Sequence, residues 1–131
     1  YPVISHCNFM FGNRIGELSR CKANLTLTSI SNDPFEPHVD QPDFDNITGL
    51  LCVNNSDGPT YIYENVCPVG SSTKAALEMY RANKDSFKII HDIEPKANRM
   101  VLFDGNIYHS GSRPTKHKTR VNINFNWARP K

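Results

Sequence analysis

Apolar and polar positions alternate along much of the chain with a period of two, and the sharpest instance is the last. From Arg120 to Trp127, Val121, Ile123, Phe125 and Trp127 alternate with Arg120, Asn122, Asn124 and Asn126, which predicts a strand with two unlike faces. Leu25, Leu27 and Ser29 alternate with Thr26, Thr28 and Ile30 in a β-branched stretch, a second strand. The apolar run Ile47 to Val53 predicts a buried strand. Asn54 to Gly58 is a turn after it, and Thr60 to Tyr63 is a strand closing a hairpin. Phe87 to Ile93, Met100 to Phe103 and Ile107 to His109 continue the series, with turns at 95–98 and 104–106. The first twenty or so residues, with Gly12 and Gly16, read as loop with one strand at most. Prolines around 37–42 make His38 to Asp40 an edge or strand-end segment. Ser72 to Asn83 is the one good helix candidate, with Ser72 as N-cap ahead of Ala75, Ala76, Leu77 and Met79. Many short strands with Gly, Pro and Asn turns predict a mainly β sandwich or barrel.

Bulk properties narrow the class. A chain of 131 residues fits one domain, here 1–131, and can bury a core without staples. A net charge of +2 is too small to argue for nucleic acid or an anionic membrane as partner. No segment approaches the roughly 20 apolar residues of a membrane span, and no basic start followed by an apolar stretch suggests a leader. None of Cys7, Cys21, Cys52 and Cys67 forms a C-x-x-C pair, so a zinc knuckle or thioredoxin-type site is not indicated, and buried reduced thiols are expected.

The candidate chemistry starts at His38 and Asp40. Two residues apart on an extended strand, they leave the same face about 6.6 Å apart along the backbone, so one imidazole and one carboxylate can meet a single metal. By itself the spacing is a weak signal. His109, at the end of an extended segment, supplies a second imidazole, whereas His6, His91 and His117 lack comparable context. Two histidines and a carboxylate with open positions are the arrangement of non-haem Fe(II) oxygenases. Arg120 follows eleven residues after His109, across one loop that should return its strand beside that of His109. Its guanidinium can bind the distal carboxylate of a dicarboxylic co-substrate in a bidentate way. Arg120, Asn122 and Asn124 share a face. If that face lines a cofactor cavity, the apolar face must be covered from outside, by a helical part N-terminal to this chain or by a partner. Otherwise the strand is simply half-exposed.

These residues resemble the 2-oxoglutarate/Fe(II)-dependent oxygenases, in particular the prolyl-4-hydroxylase-like branch and its phage and marine bacterial relatives. The resemblance runs from about Leu25 to Trp127. Its pieces, in order, are Pro37 to Pro42, Thr48 to Asn54, Asp57 to Tyr63, Pro95 to Gly105, Tyr108 to Gly111 and Arg120 to Phe125. It implies a double-stranded β-helix, or jelly roll, in which His38, Asp40 and His109 hold Fe(II) and Arg120 pairs with the 2-oxoglutarate C5 carboxylate. The implied reaction consumes 2-oxoglutarate and O2, hydroxylates a substrate C–H and releases succinate and CO2.

The branch often has a tyrosine where this chain has Cys52, and a thiol is a poor donor. Co-substrate binding would then draw on Thr28, Tyr61 or Tyr63, so Thr28, Cys52 and Asn122 join Arg120 as expected pocket residues. The branch suggests peptidyl proline as substrate, with a protein, peptide or small molecule as the general expectation. Tyr61, Tyr63, Gln41 and Asp43 are read as surface or packing residues. The expected location is cytoplasmic, or with a phage in its host. Two other readings stand beside this one: a non-catalytic jelly-roll module of a larger assembly, and a cupin-like metal enzyme that does not use 2-oxoglutarate. Arg120 argues against the second, and retention of all four residues argues against the first.

Overall fold

The computed structural model describes residues 15–130; His6, Cys7 and Gly12 lie outside them. Among the described residues, seven strands and one helix follow in the order β1 (Leu18–Leu27), β2 (Asn46–Cys52), β3 (Thr60–Val66), α1 (Thr73–Ala82), β4 (Ile89–Ile93), β5 (Met100–Asp104), β6 (Ile107–Ser110) and β7 (Thr119–Ala128), with a 3-10 turn at Lys84–Ser86. All strand pairs are antiparallel. The larger sheet runs β1-β7-β2-β5 and the smaller β4-β3-β6. This is a jelly-roll-like architecture, as expected.

The pairing departs from the sequence reading in three places. β2 and β3 do not form a hairpin, because the turn after β2 carries the chain from the larger sheet to the smaller. The Asp104–Asn106 turn does the same between β5 and β6. β7 lies beside β1 and β2, not beside the strand of His109. Turn residues fix a reversal of direction but not whether the chain returns to its own sheet. β1 also begins at Leu18, well ahead of Leu25, and ends at Leu27. Its length is set by pairing with all of β7 from Leu18↔Trp127 to Leu27↔Thr119, a long-range cause that local propensity does not carry.

The alternation in β7 decides what lies where. Phe125 and Trp127, 3% and 0% exposed, pack with Ile15 and Ile47 and with Leu51 and Leu102, on the outer face of the larger sheet. Across the smaller sheet, Tyr63, Cys67 and Tyr108 pack with Val39 and Ala76 of α1. Ser72 caps α1 by accepting from the Ala75 N–H at 3.0 Å. The apolar clusters therefore sit on the two outer faces, and the polar row of β7 faces the smaller sheet across the interior, among apolar neighbours such as Leu50 and Phe103. Of the described thiols, Cys52 and Cys67 are buried as expected, but Cys21 is exposed on the edge strand. Among the described residues no helix is long and apolar enough to cross a membrane.

Candidate metal centre and anion pocket

His38 lies in no strand, yet it forms an isolated bridge with His109 of β6. Each N–H donates to the other's carbonyl at 3.0 Å. Residues paired in this way stand directly opposite, about 5.5 Å apart at Cα, with side chains on one face. Asp40, two positions on, shares that face, while Val39 and Tyr108 turn into the cluster under α1. The Tyr108 hydroxyl donates to the Ala76 carbonyl at 2.6 Å. Arg81 of α1 grips Glu36 with two bonds of 3.2 Å. The helix thus braces both segments that carry the histidines.

The three groups converge as the sequence predicted. His38 Nε2 is 3.2 Å and His109 Nε2 3.5 Å from the same Asp40 oxygen, and one donor atom from each lies within 4.8 Å of the others. His109 Nδ1 is 3.1 Å from the Ile107 carbonyl. A carbonyl only accepts, so Nδ1 carries the proton and Nε2 presents its lone pair. That buried Nε2 has no hydrogen-bond partner, so its lone pair is free to bind a metal. Burial by itself would raise the Asp40 carboxyl, but the His109 and His38 imidazoles beside it outweigh that and hold Asp40 well below the usual carboxylate range. Two imidazole nitrogens and one carboxylate oxygen, with the other sides open to a cavity, fit a divalent transition metal such as Fe(II).

Asn126 and Thr48 were not singled out from sequence. Asn126 is fully buried and directs its amide at Asp40 Oδ2, 3.4 Å away, and at Thr48 Oγ1, 3.1 Å away. It continues the polar row of β7, so the signal was the alternation itself. The Phe103 ring meets His109 edge-on, with centroids 5.0 Å apart.

A cavity of about 420 Å³ extends from His38, Asp40 and His109 to Arg120. Arg120 is only 6% exposed. Its Nη1 donates to Asn122 Oδ1 at 3.0 Å, its Nη2 donates to Thr60 Oγ1, and its Nε has no partner. Among the described residues no carboxylate pairs with it. Burial pulls this guanidinium below its ordinary value, and a cation buried with only neutral partners is costly unless an anion joins it. Gly111 makes the close approach possible, since a Cβ there would lie 3.1 Å from Arg120 Nη1. Ser110 alone separates Gly111 from His109, so the residue against which Arg120 packs follows about 7 Å of extended chain after His109.

The remaining expected pocket residues divide. Asn122 lines the cavity beside Arg120. Cys52 faces Asn122 in register and is buried, with its thiol pushed up by that burial, but it lies behind the cavity and does not line it. Thr28 does not line the cavity, because β1 has ended and its hydroxyl turns to the Pro114 carbonyl at 3.2 Å. Thr26, opposite Arg120 on β1, takes that place. Tyr61 and Tyr63 are also turned away, bonding to the Asn32 carbonyl and Ser110 hydroxyl. Thr60, the missed partner of Arg120, points inward because it alternates with Tyr61.

A model of a family of unknown function (DUF6445) matches residues 62–124, a span that contains His109 and Arg120 but not His38 or Asp40. No curated protein matches the sequence. Among solved structures, an N-substituted L-amino acid dioxygenase from Burkholderia ambifaria AMMD superposes with a TM-score of 0.59 at 17% identity, over 85% of this chain and 53% of that one. The same enzyme in complex with alpha-KG gives 0.55 at 17% identity, over 80% and 47%. The chain thus spans about half the length of these neighbours. What the likeness establishes is a shared jelly-roll-like fold.

Proposed function

We propose that the chain is the catalytic core of an Fe(II)- and 2-oxoglutarate-dependent oxygenase. The observation that carries the reading is that a buried guanidinium, Arg120, with no carboxylate partner among the described residues, shares one cavity with a His-Asp-His cluster in which the buried His109 Nε2 has no hydrogen-bond partner. In this reading His38, Asp40 and His109 hold the metal, and Arg120, with Thr60 and Asn122 fixing its plane, receives the C5 carboxylate of 2-oxoglutarate. The bound metal would supply dioxygen activation, with the overall balance substrate C–H plus 2-oxoglutarate plus O2 giving substrate C–OH, succinate and CO2.

The residues' own part is positional. The Ile107 carbonyl fixes the His109 tautomer, and Asn126 orients Asp40. Phe103 covers one side of His109, and the polar row of β7 lines the floor. The likeness to a structure solved with alpha-KG supports the co-substrate. For the substrate, resemblance to the prolyl-4-hydroxylase-like branch suggests peptidyl proline, and the fold neighbour acts on N-substituted L-amino acids.

Anaerobic addition of Fe(II) and 2-oxoglutarate tests the reading. The expected result is the visible charge-transfer band of the chelate, absent in Asp40→Ala. No band in the wild type, or the same band in the variant, would overturn it. Succinate release on admitting air then separates a catalyst from a scaffold.

A further inference from the structure

Arg120 is not the only cation in the cavity. Arg20 and Lys22 line it too, and the one acidic side chain in the lining is Asp40, already engaged with both histidines. Neither Arg20 nor Lys22 has a hydrogen bond or ion pair with a carboxylate among the described residues.

Their position is built by a bulge. β1 pairs Leu18 with Trp127 and then Arg20 with Asn126, so Ser19 is an extra residue. Without it, Leu18 and Arg20 would share a face; with it, Leu18 joins the outer apolar cluster and Arg20 turns into the cavity. The bulge is pinned, since the Ser19 hydroxyl is 2.7 Å from Gln41 Oε1 and 3.1 Å from the Asn126 carbonyl. Arg20 therefore stands across from Asn126, the residue whose amide reaches Asp40. Lys22 follows opposite Asn124. Thr26, opposite Arg120, is six residues further along β1, roughly 20 Å of strand, with Asn24 between. The cavity thus has two cationic ends, a buried one at Arg120 and a half-open one on the edge strand beside the metal ligands.

We infer that Arg20 and Lys22 form the docking site for an anionic group of the substrate, a carboxylate, leaving Arg120 to the co-substrate. The inference rests on the oxygenase reading above and adds the substrate's chemical class. A fork-shaped guanidinium on a fixed strand suits a carboxylate, and Lys22 adds a second charge two positions along the same face.

The test uses the protein loaded anaerobically with Fe(II) and 2-oxoglutarate. The probes are a panel of N-acetyl-L-amino acids, each compared with its own C-terminal amide by calorimetric titration. At least one free carboxylate is expected to bind about tenfold more tightly than its amide. That preference should shrink to within about twofold in Arg20→Gln/Lys22→Gln and survive in Arg20→Lys, which keeps the charge. If the chelate band forms but no carboxylate outbinds its amide, or the double variant keeps the preference, the docking site is overturned and the oxygenase reading stands. If no chelate band forms, the oxygenase reading fails and this inference with it.

Discussion

His38 and His109 exchange both backbone hydrogen bonds at 3.0 Å, and their rings stand 4.5 Å apart at the centroids. Residues 71 positions apart in sequence are thus locked face to face by main chain alone. The pairing does not depend on the imidazoles, so His109→Ala should leave the fold intact while removing one donor of three. Its affinity for Fe(II), or for Co(II) as a spectroscopic substitute, should fall by more than the roughly 10–100-fold typical of outer-shell changes. Circular dichroism and metal titration check the two halves separately, and an unchanged metal affinity would rule His109 out as a ligand.

Asn126 offers a finer probe. Its amide holds Asp40 and Thr48 from a fully buried position. Asn126→Leu keeps volume and deletes the donor. Metal affinity should drop about 10–100-fold with all three ligands still present. Equal affinity in variant and wild type would make Asn126 merely a packing residue.

Arg120 makes a prediction about stability with an unusual sign. A buried cation with only neutral partners costs the unliganded fold free energy, so Arg120→Gln should leave the apparent melting temperature unchanged or raise it. The wild type should melt higher as 2-oxoglutarate is added, because a ligand that binds only the folded state stabilises it by mass action. The variant should lose that response. A large destabilisation of the unliganded variant would show that Arg120 is structural.

How much of this was legible follows from the range of each cause. The spacing of His38 and Asp40 and the polar row from Arg120 to Asn126 are local periodicities, and both survive in the structure. The sheet to which β3 and β6 belong depends on where the chain goes after a turn, which Asn54 to Gly58 does not encode. Arg20 was hidden for a similar reason, since a one-residue bulge at Ser19 sets its face and β1 exists there only because β7 pairs with it. Thr28, expected as a donor in place of Cys52, misses the pocket because the strand read as Leu25 to Ile30 ends at Leu27.

A last prediction concerns Asp57, which organises the loop between β6 and β7. Its carboxylate accepts from the backbone N–H groups of Thr115, Lys116 and His117, from the Thr115 hydroxyl and from His117 Nδ1. Desolvation pushes this carboxyl up, but the hydrogen bonds, led by those of Thr115, outweigh it and hold Asp57 well below the usual range. The unfolded chain, with an ordinary carboxyl near 3.9, therefore binds more protons at acidic pH, and stability from this group rises with pH. It is fully present above about pH 5 and is lost as pH falls below about 4. Asp57→Asn should cost about 1 kcal/mol at neutral pH, discounted for the loop's partial exposure. The gap to wild type should narrow as the acid is approached. Denaturant melts of both proteins at pH 7 and pH 3.5 measure the gap, and one that is constant or widens toward acid would show that the charge of Asp57 does not hold the loop. That loop leads from Gly111 into β7, so its order also bears on the seat of Arg120.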